Sequence, residues 1–502
     1  MVESASVPPA SPSRNFQTMP LQEPSERLNA ALAALIGRPR GVLDVGCAAG
    51  IHGMVARRAG AWVTGIEGDP VLAGRAGRAL DEVFTLDPED RSSVAAALGD
   101  RKFDLVIAAD LLERARDPEG LLEFYSQFVG DEGRLLVSLT NRDAWPVRLH
   151  ADRPEAGYVT STGGTPRLFS REEALAMVER SGLELLEVSV NPMLLRSLRL
   201  LLGDEFFVSM RHGEHSGSGD LMAYQAYLAA IRPFEVAVAR LLPSLLAFQN
   251  VLVARKKPRA GKLSLTIGML TMDEEPSVAR MIDEVRKYAP DAQILLVDSS
   301  MKDQTPVIAE RMGARVLRQL PPRGHGPAME LLMYEAAKQS DALVYLDCDF
   351  TYPPPVIVDI RRILESGVDV VNAARVRTRP AAMPLPNYLA NKTFVLLAQL
   401  LNGMPVADLH SGMRGYRSSV IRGFSFDGEG DALPIDTVLW PARSGYHVVE
   451  IPIEYQERVG ASKLRKVSGT VWTFIRLAST LRVGSRRDET YDSWETARGA
   501  KR

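Results

Sequence analysis

Cysteine is almost absent: Cys47 and Cys348 are the only two in 502 residues, and their distance apart rules out a disulfide framework or a zinc knuckle. The chain reads as a protein of a reducing cytosol. Net charge is also lacking. Lys plus Arg at 60 against Asp plus Glu at 62 leaves -2, so no whole-molecule field draws nucleic acid and any polyanion site must be local. No run of about 18 uncharged apolar residues occurs; the nearest, Tyr388 to Val406, is broken by Asn391, Lys392, Gln399, Asn402 and Gly403, so no membrane span is expected. Residues 1–24 are rich in Ser and Pro and lack a basic start followed by an apolar run, which fits a disordered leader and neither a signal peptide nor an anchor. The tail, residues 485–502, is polar without apolar periodicity and is expected to be disordered.

What is present suffices for large cores. Hydrophobic residues are 46% and charged residues 24%, close to globular averages, and the length asks for two or three folding units. Twice the sequence starts afresh with a β-rich apolar run, a turn and a helical pattern, at Gly41 to Val45 and at Leu263 to Leu270. The halves share no period or motif order, which excludes a repeat. Two unlike α/β domains are expected, residues 25–257 and 263–484, joined by a Pro and Gly-containing connector at 258–262.

In the first half, Val42 to Val45 is a buried-strand run, Gly46, Cys47, Ala48, Ala49 and Gly50 make a small-residue turn, and a helix follows to Arg58. Glycines there let a ligand approach the backbone, and the helix start offers unpaired N–H groups. A second strand, Trp62 to Ile66, ends in Glu67, where an acid can accept from both ribose hydroxyls. Further strands end at Asp110 to Glu113 and at Thr140 and Asn141. Together these motifs resemble the class I S-adenosylmethionine-dependent methyltransferases, with a seven-stranded Rossmann-like fold over about Leu43 to Lys257. The resemblance implies that Asp44, Gly46 and Gly50 hold the methionine portion of S-adenosylmethionine, Glu67 the ribose and Asp87 the adenine, with Asp110 bordering the transfer site. Ala48 stands where relatives have glycine, and Arg114 and Thr165 stand where relatives often carry histidine. A general base is therefore not evident, although methyl transfer from a sulfonium can proceed by orientation alone. These departures leave open that the first domain is a non-catalytic binding or scaffold module. His52, His150, His212 and His215 read as surface histidines.

In the second half, a strand from Leu263 to Leu270 precedes Asp273, Glu274 and Glu275, and a second strand ends at Asp298. Acids at the carboxyl ends of parallel strands mark a nucleotide crevice. The strand Val344 to Leu346 then delivers Asp347 and Asp349, two carboxylates at i and i+2 that can share a divalent cation bridging a diphosphate. This order resembles the family-two glycosyltransferases of the GT-A fold. Asp408, Leu409, His410, Ser411, Gly412, Met413 and Arg414, then Glu450 to Pro452, Arg458, Gly460, Ser462 and Lys463, are similar to the polyprenol-phosphate hexosyltransferase branch typified by dolichol-phosphate mannose synthase. The resemblance implies a nucleotide diphosphate sugar bound by Asp273, Glu274, Asp298, Asp347 and Asp349, with Mg²⁺ or Mn²⁺ on Asp347, Asp349 and Thr351. Arg414, Arg458, Ser462 and Lys463 would face the diphosphate and a polyprenyl phosphate acceptor. Asp273 replaces the usual Asn, so GDP and UDP are not distinguished. A phosphate acceptor needs no base, whereas a hydroxyl of a glycan or metabolite does, and Asp436, or second to it Asp408, is placed to serve. The apolar helical segments Tyr388 to Leu401 and Val471 to Val483 either lie in a membrane interface or pack on the sheet. The chain is thus expected to be a bifunctional cytoplasmic enzyme with peripheral membrane contact, acting in glycan or glycolipid synthesis.

Overall fold

The computed structural model describes residues 29–150, 167–192, 238–239, 242–375, 383, 385–402, 407–424, 433–457 and 491–493. The chain divides into two compact units between Lys257 and Pro258.

The first unit is built on seven strands, β1 (Gly41–Val45), β2 (Trp62–Glu67), β3 (Glu82–Thr85), β4 (Phe103–Ala109), β5 (Val129–Thr140), β6 (Glu184–Pro192) and β7 (Ala247–Arg255). Their order is β3-β2-β1-β4-β5-β7-β6. β1 to β5 pair in parallel, and β7 runs antiparallel to β5 and β6. Helices cover both faces, so consecutive residues of β4, Leu105, Val106 and Ile107, are all fully buried, the pattern of a parallel sheet and not of alternation. The helices start where a side chain can accept their orphan N–H groups. Asp69, Asp90 and Asp117 cap Pro70–Ala79, Arg91–Leu98 and Pro118–Ser126, and Ser170 with Glu173 forms a reciprocal capping box at Arg171–Arg180. Each such cap contributes about 1 kcal/mol.

The second unit carries β8 (Leu265–Thr271), β9 (Gln293–Asp298), β10 (Arg315–Arg318), β11 (Ala342–Leu346), β12 (Val370–Ala374), β13 (Met413–Arg417), β14 (Val448–Pro452) and β15 (Tyr491–Ser493). The order is β10-β9-β8-β11-β13-β12-β14-β15, parallel except for β13, which is antiparallel to β11 and β12. Val278, Met281, Ile282 and Val285 of the helix Glu275–Tyr288 pack on Ile267 and Met269 of β8. Their i, i+3, i+4, i+7 spacing is what one buried helix face requires. β15 departs from the expected unstructured tail: Tyr491–Ser493 pairs in parallel with β14. Main-chain groups suffice for edge pairing, so no apolar periodicity announces it. Among the described residues no helix is long and apolar enough to cross a membrane.

Both sheets reverse their strand order once. The chain builds outward from β1 to β3 and returns to place β4 beside β1; it repeats the move from β8 to β10 and back to β11. At such a reversal the carboxyl ends of the two central strands open a crevice.

Candidate active sites at the two strand-order reversals

In the first unit, the turn after β1 has Gly46, Ala48 and Gly50 at φ +62°, +48° and +82°. For Ala48 this left-handed backbone carries a cost of about 1–2 kcal/mol, which explains why glycine is the natural residue there. The same coil aims the Ala48 N–H at Glu67 Oε2 (2.8 Å), while Glu67 Oε1 accepts from Asp69 N–H (2.9 Å). Glu67 is thereby fixed at the end of β2 with lone pairs to spare. Asp44, 1% exposed, accepts from Gly53 N–H at 2.8 Å. Burial, with the nearby Glu67 charge adding to it, pushes its carboxyl up to about 7. A Cβ on Gly53 would lie 2.9 Å from Asp44 Oδ2 and 2.7 Å from Leu80 Cδ2, so only glycine lets the helix Ile51–Arg58 sit this close. Asp87 is exposed past the end of β3, its Oδ1 accepting from Glu89 N–H. These small residues and graded acids suit a cationic adenosyl cofactor.

Across the reversal, Asp110 ends β4 at φ +52°. Its Oδ1 accepts from Ser138 Oγ (2.6 Å) and Gln249 Nε2 (2.9 Å), and burial raises its pKa. Glu113, 8% exposed, accepts from Thr140 N–H, and burial followed by the Asp110 charge pushes it up to about 7. Ser138 and Gln249 were not singled out from sequence; the signal available was a polar Gln249–Asn250 pair inside an apolar strand. His52, expected at the surface, is instead half-buried: it accepts the Asn29 N–H at 3.1 Å, and the burial of its ring lowers its pKa to about 4. Thr165, His212 and His215 lie outside the described residues.

In the second unit, Asp273 follows β8 at φ +53°. Its N–H donates to Ser300 Oγ (2.7 Å), and its Oδ1 accepts from the N–H groups of Met301 and Lys302 at 3.2 Å. Glu274 N–H donates to Thr305 Oγ1 at 2.8 Å. Asp298 differs from expectation. It is fully buried; Oδ2 accepts from Thr271 and Ser300 hydroxyls at 2.7 Å, and Oδ1 lies 3.4 Å from Arg318 Nε. With Ser300, itself 1% exposed, it forms the buried support of the crevice, whereas Asp273 is half-buried and Arg318 exposed.

The acidic turn after β11 also holds a strained residue, Phe350 at φ +62°. The four non-glycine positive-φ residues among those described, Ala48, Asp110, Asp273 and Phe350, all fall at the two crevices, where strain marks function. Asp347 is half-buried and accepts from Tyr345 OH at 2.8 Å, and its N–H donates to Gly412 O. Asp349 Oδ1 accepts from Thr351 N–H (3.0 Å) and Oγ1 (2.5 Å). Thr351 is 1% and Asp349 4% exposed, and the role the structure gives Thr351 is to orient Asp349. Among the described residues no group of three or more His, Cys, Asp or Glu is arranged to hold a metal.

Arg414 is corrected as well. It is 1% exposed and donates to Asn372 Oδ1, Thr437 Oγ1 and Leu409 O, because β13 enters antiparallel with Arg414 opposite Tyr345 inside the sheet. It fastens β13 to its neighbours and does not face an acceptor phosphate. Asn372 also donates to Glu450 Oε2 and Asp408 O. Asp408, fully buried, is held in a bidentate pair with Arg375 at 2.7 and 2.9 Å. Burial opposes its ionisation, but Arg375 prevails and keeps the pKa below the usual value, which removes Asp408 as a base. Asp436 sits half-buried in the first turn of the helix Leu433–Arg443. Arg458, Ser462 and Lys463 lie outside the described residues.

Comparison with known proteins agrees with this division. Residues 19–188 match the family described as a methyltransferase domain, and residues 266–424 match glycosyl transferase family 2. A dolichyl-phosphate hexose transferase of Haloferax volcanii is 34% identical over 206 residues, 41% of this chain and 88% of that protein. A polyprenol monophosphomannose synthase of Mycolicibacterium smegmatis is 24% identical over 207 residues, 39% of this chain and 78% of that protein. In the first half, a ubiquinone biosynthesis O-methyltransferase of Klebsiella pneumoniae is 31% identical over 109 residues, 21% of this chain and 45% of that protein.

Proposed function

The chain belongs to the family 2 glycosyltransferases through its second unit and carries a methyltransferase domain in its first, and we propose that it transfers a hexose from a nucleotide diphosphate sugar to polyprenyl phosphate and a methyl group from S-adenosylmethionine to a product of the same glycan or glycolipid route. What carries the first part is the acidic turn at the β8/β11 reversal. Asp347 is set by Tyr345 and Gly412, and Asp349 by Thr351, so two carboxylates with fixed partners stand on the turn that leaves β11 at the reversal. The pair fits Mg²⁺ or Mn²⁺, since such ions use one or two carboxylates plus substrate phosphates and not an all-protein cage. The bound cation would neutralise charge on the departing diphosphate. Asp273, half-buried at the same crevice, would take the nucleoside end. Arg458, Ser462 and Lys463 remain the candidates for the two phosphates.

The helix Leu385–Asn402 supports a lipid acceptor. Leu385, Leu389 and Leu396 are 47%, 54% and 54% exposed, spaced to share one face, with Lys392 over the Tyr388 ring at 5.6 Å. Such a face lies naturally in a membrane interface, at the cytoplasmic side on this reading. In the first unit, Asp44 and the Gly46–Gly50 turn would take the methionine portion, Glu67 the ribose and Asp87 the adenine, with Asp110 beside the methyl acceptor. Glucose or mannose panels of UDP and GDP donors, offered polyprenyl phosphate or soluble alcohols, test the acceptor: sugar on soluble hydroxyls alone would overturn the lipid reading and bring Asp436 forward as base. Calorimetric binding of S-adenosylmethionine, abolished in Glu67→Ala, would reject a scaffold role with an empty pocket.

A further inference from the structure

One polar assembly lies behind the acidic turn, and the reaction as described does not use it. Arg375 donates through N, Nε and Nη2 to the Asp408 carboxylate (3.0, 2.7 and 2.9 Å). Its guanidinium also lies over two rings, 5.8 Å from Tyr352 and 5.4 Å from Tyr455, and those rings meet edge to face at 5.7 Å. Tyr352 is 1% exposed, and its hydroxyl accepts the Gly412 N–H. Gly412 in turn receives the Asp347 N–H on its carbonyl, and a Cβ there would overlap the Asp347 carboxylate. From the other side, Ile453 N–H donates to Ala374 O and Gln456 N–H to Thr351 O, both at 3.0 Å. The residues after β14 are thus laced to the acidic turn through main-chain bonds and one aromatic pair.

We propose that Arg375 and Tyr352 are positioning residues for the acidic turn: held by Asp408, Arg375 locks the Tyr352 ring, whose hydroxyl fixes Gly412 and with it the carboxylate of Asp347. The inference rests on the reading of Asp347 and Asp349 as the carboxylates of a metal-bridged diphosphate. The chemistry favours arginine for this task, because only a planar guanidinium can satisfy a carboxylate with two parallel bonds and present its face to two rings. Groups that orient metal-binding carboxylates matter nearly as much as the carboxylates themselves. The lacing also ties Gln456, near the end of this stretch, to the turn.

The test is Mn²⁺ binding to the full chain with UDP or GDP present, followed by electron paramagnetic resonance of free Mn²⁺ and by calorimetry, on wild type, Tyr352→Phe and Arg375→Lys. Tyr352→Phe keeps the ring and removes only the acceptor for Gly412 N–H; Arg375→Lys keeps the charge and removes the fork. Circular dichroism melting reports whether each variant is folded. The expected result is a half-saturating Mn²⁺ concentration raised about tenfold or more in both variants, with transfer in saturating metal recovering toward wild type. Folded variants with wild-type metal dependence would overturn the positioning role and leave the proposed function standing. Wild-type protein that binds neither nucleotide with Mn²⁺ would overturn both. Should Arg375→Lys fail to fold, Tyr352→Phe alone decides.

Discussion

Replacing Gly412 by alanine puts one methyl group against the site's main carboxylate. The new Cβ would overlap Asp347 Oδ2 and stand 2.7 Å from its Cγ and 2.8 Å from Tyr352 Cε2, where real contacts are longer than 3 Å. Neither neighbour can yield cheaply: Asp347 is held by Tyr345 OH and Tyr352 is buried. Relief must come from rotating the carboxylate or shifting the strand end by a substantial part of an ångström. Overpacking of this kind costs about 1–3 kcal/mol of stability. A displacement near 1 Å at a reacting site costs about a hundredfold in rate. Gly415→Ala, three residues on and within β13, is the matched control. Its Cβ would collide with Ile360 and Leu364, in the core and away from the acids. Both variants should melt lower, by about 2–4 °C per kcal/mol for units of this size, but only Gly412→Ala should lose hexosyl transfer about a hundredfold and bind Mn²⁺ with nucleotide more weakly. Equal activity losses in the two variants, or a Gly412→Ala rate within twofold of wild type, would refute the placement of Asp347 at the reacting centre.

Ala48→Gly relieves the left-handed backbone at φ +48°; the strain regained, less the entropy glycine costs, should stabilise the first unit by about 0.5–1 kcal/mol, read as a shift of its urea midpoint with S-adenosylmethionine binding retained. Asp44 rests near pKa 7 through burial and then Glu67, and a cationic cofactor favours its ionised form, so binding should release a proton below about pH 7 and tighten as pH rises through that value; calorimetry in buffers of different ionisation enthalpy that shows no proton release at pH 6 would contradict this. For stability the sign is opposite. Asp44 and Glu113 both have raised pKa values, so the stabilisation they give is full below their unfolded pKa values and is lost as pH rises through about 7, which an apoprotein melting series from pH 4 to 8 checks. Asp436→Asn should leave transfer to polyprenyl phosphate within about threefold, since a phosphate acceptor needs no base; a loss of two orders of magnitude would favour a hydroxyl acceptor.

The parts of the fold visible in the sequence were those encoded locally. Small residues from Gly46 to Gly50 and acids at strand ends announce a βα crevice because the backbone conformation and the chemistry sit in one short segment. The second sheet was less legible beyond β11. β13 inserts antiparallel between β11 and β12, a long-range pairing that no local pattern specifies, and it turns Arg414 from an expected phosphate ligand into a buried fastener. Asp298 illustrates the same limit: an acid ending a strand reads as a ligand, yet Thr271, 27 residues earlier and in register with it across β8 and β9, and Ser300, two residues further on, enclose it. No local pattern marks Arg375, whose significance arises only when Asp408, Tyr352 and Tyr455 meet around it. Asn372 and Gln249 left a trace, as amides inside otherwise apolar strands, which in a buried sheet must have partners.

The most direct measurement is mass spectrometry of lipid-linked hexose made by the purified full chain from UDP or GDP sugars and polyprenyl phosphate with Mn²⁺, wild type against Asp349→Ala. A hexosyl polyprenyl phosphate formed by wild type and lost at least a hundredfold in the folded variant is the predicted result. No lipid-linked sugar from any donor, or a product that Asp349→Ala makes equally well, would contradict the account.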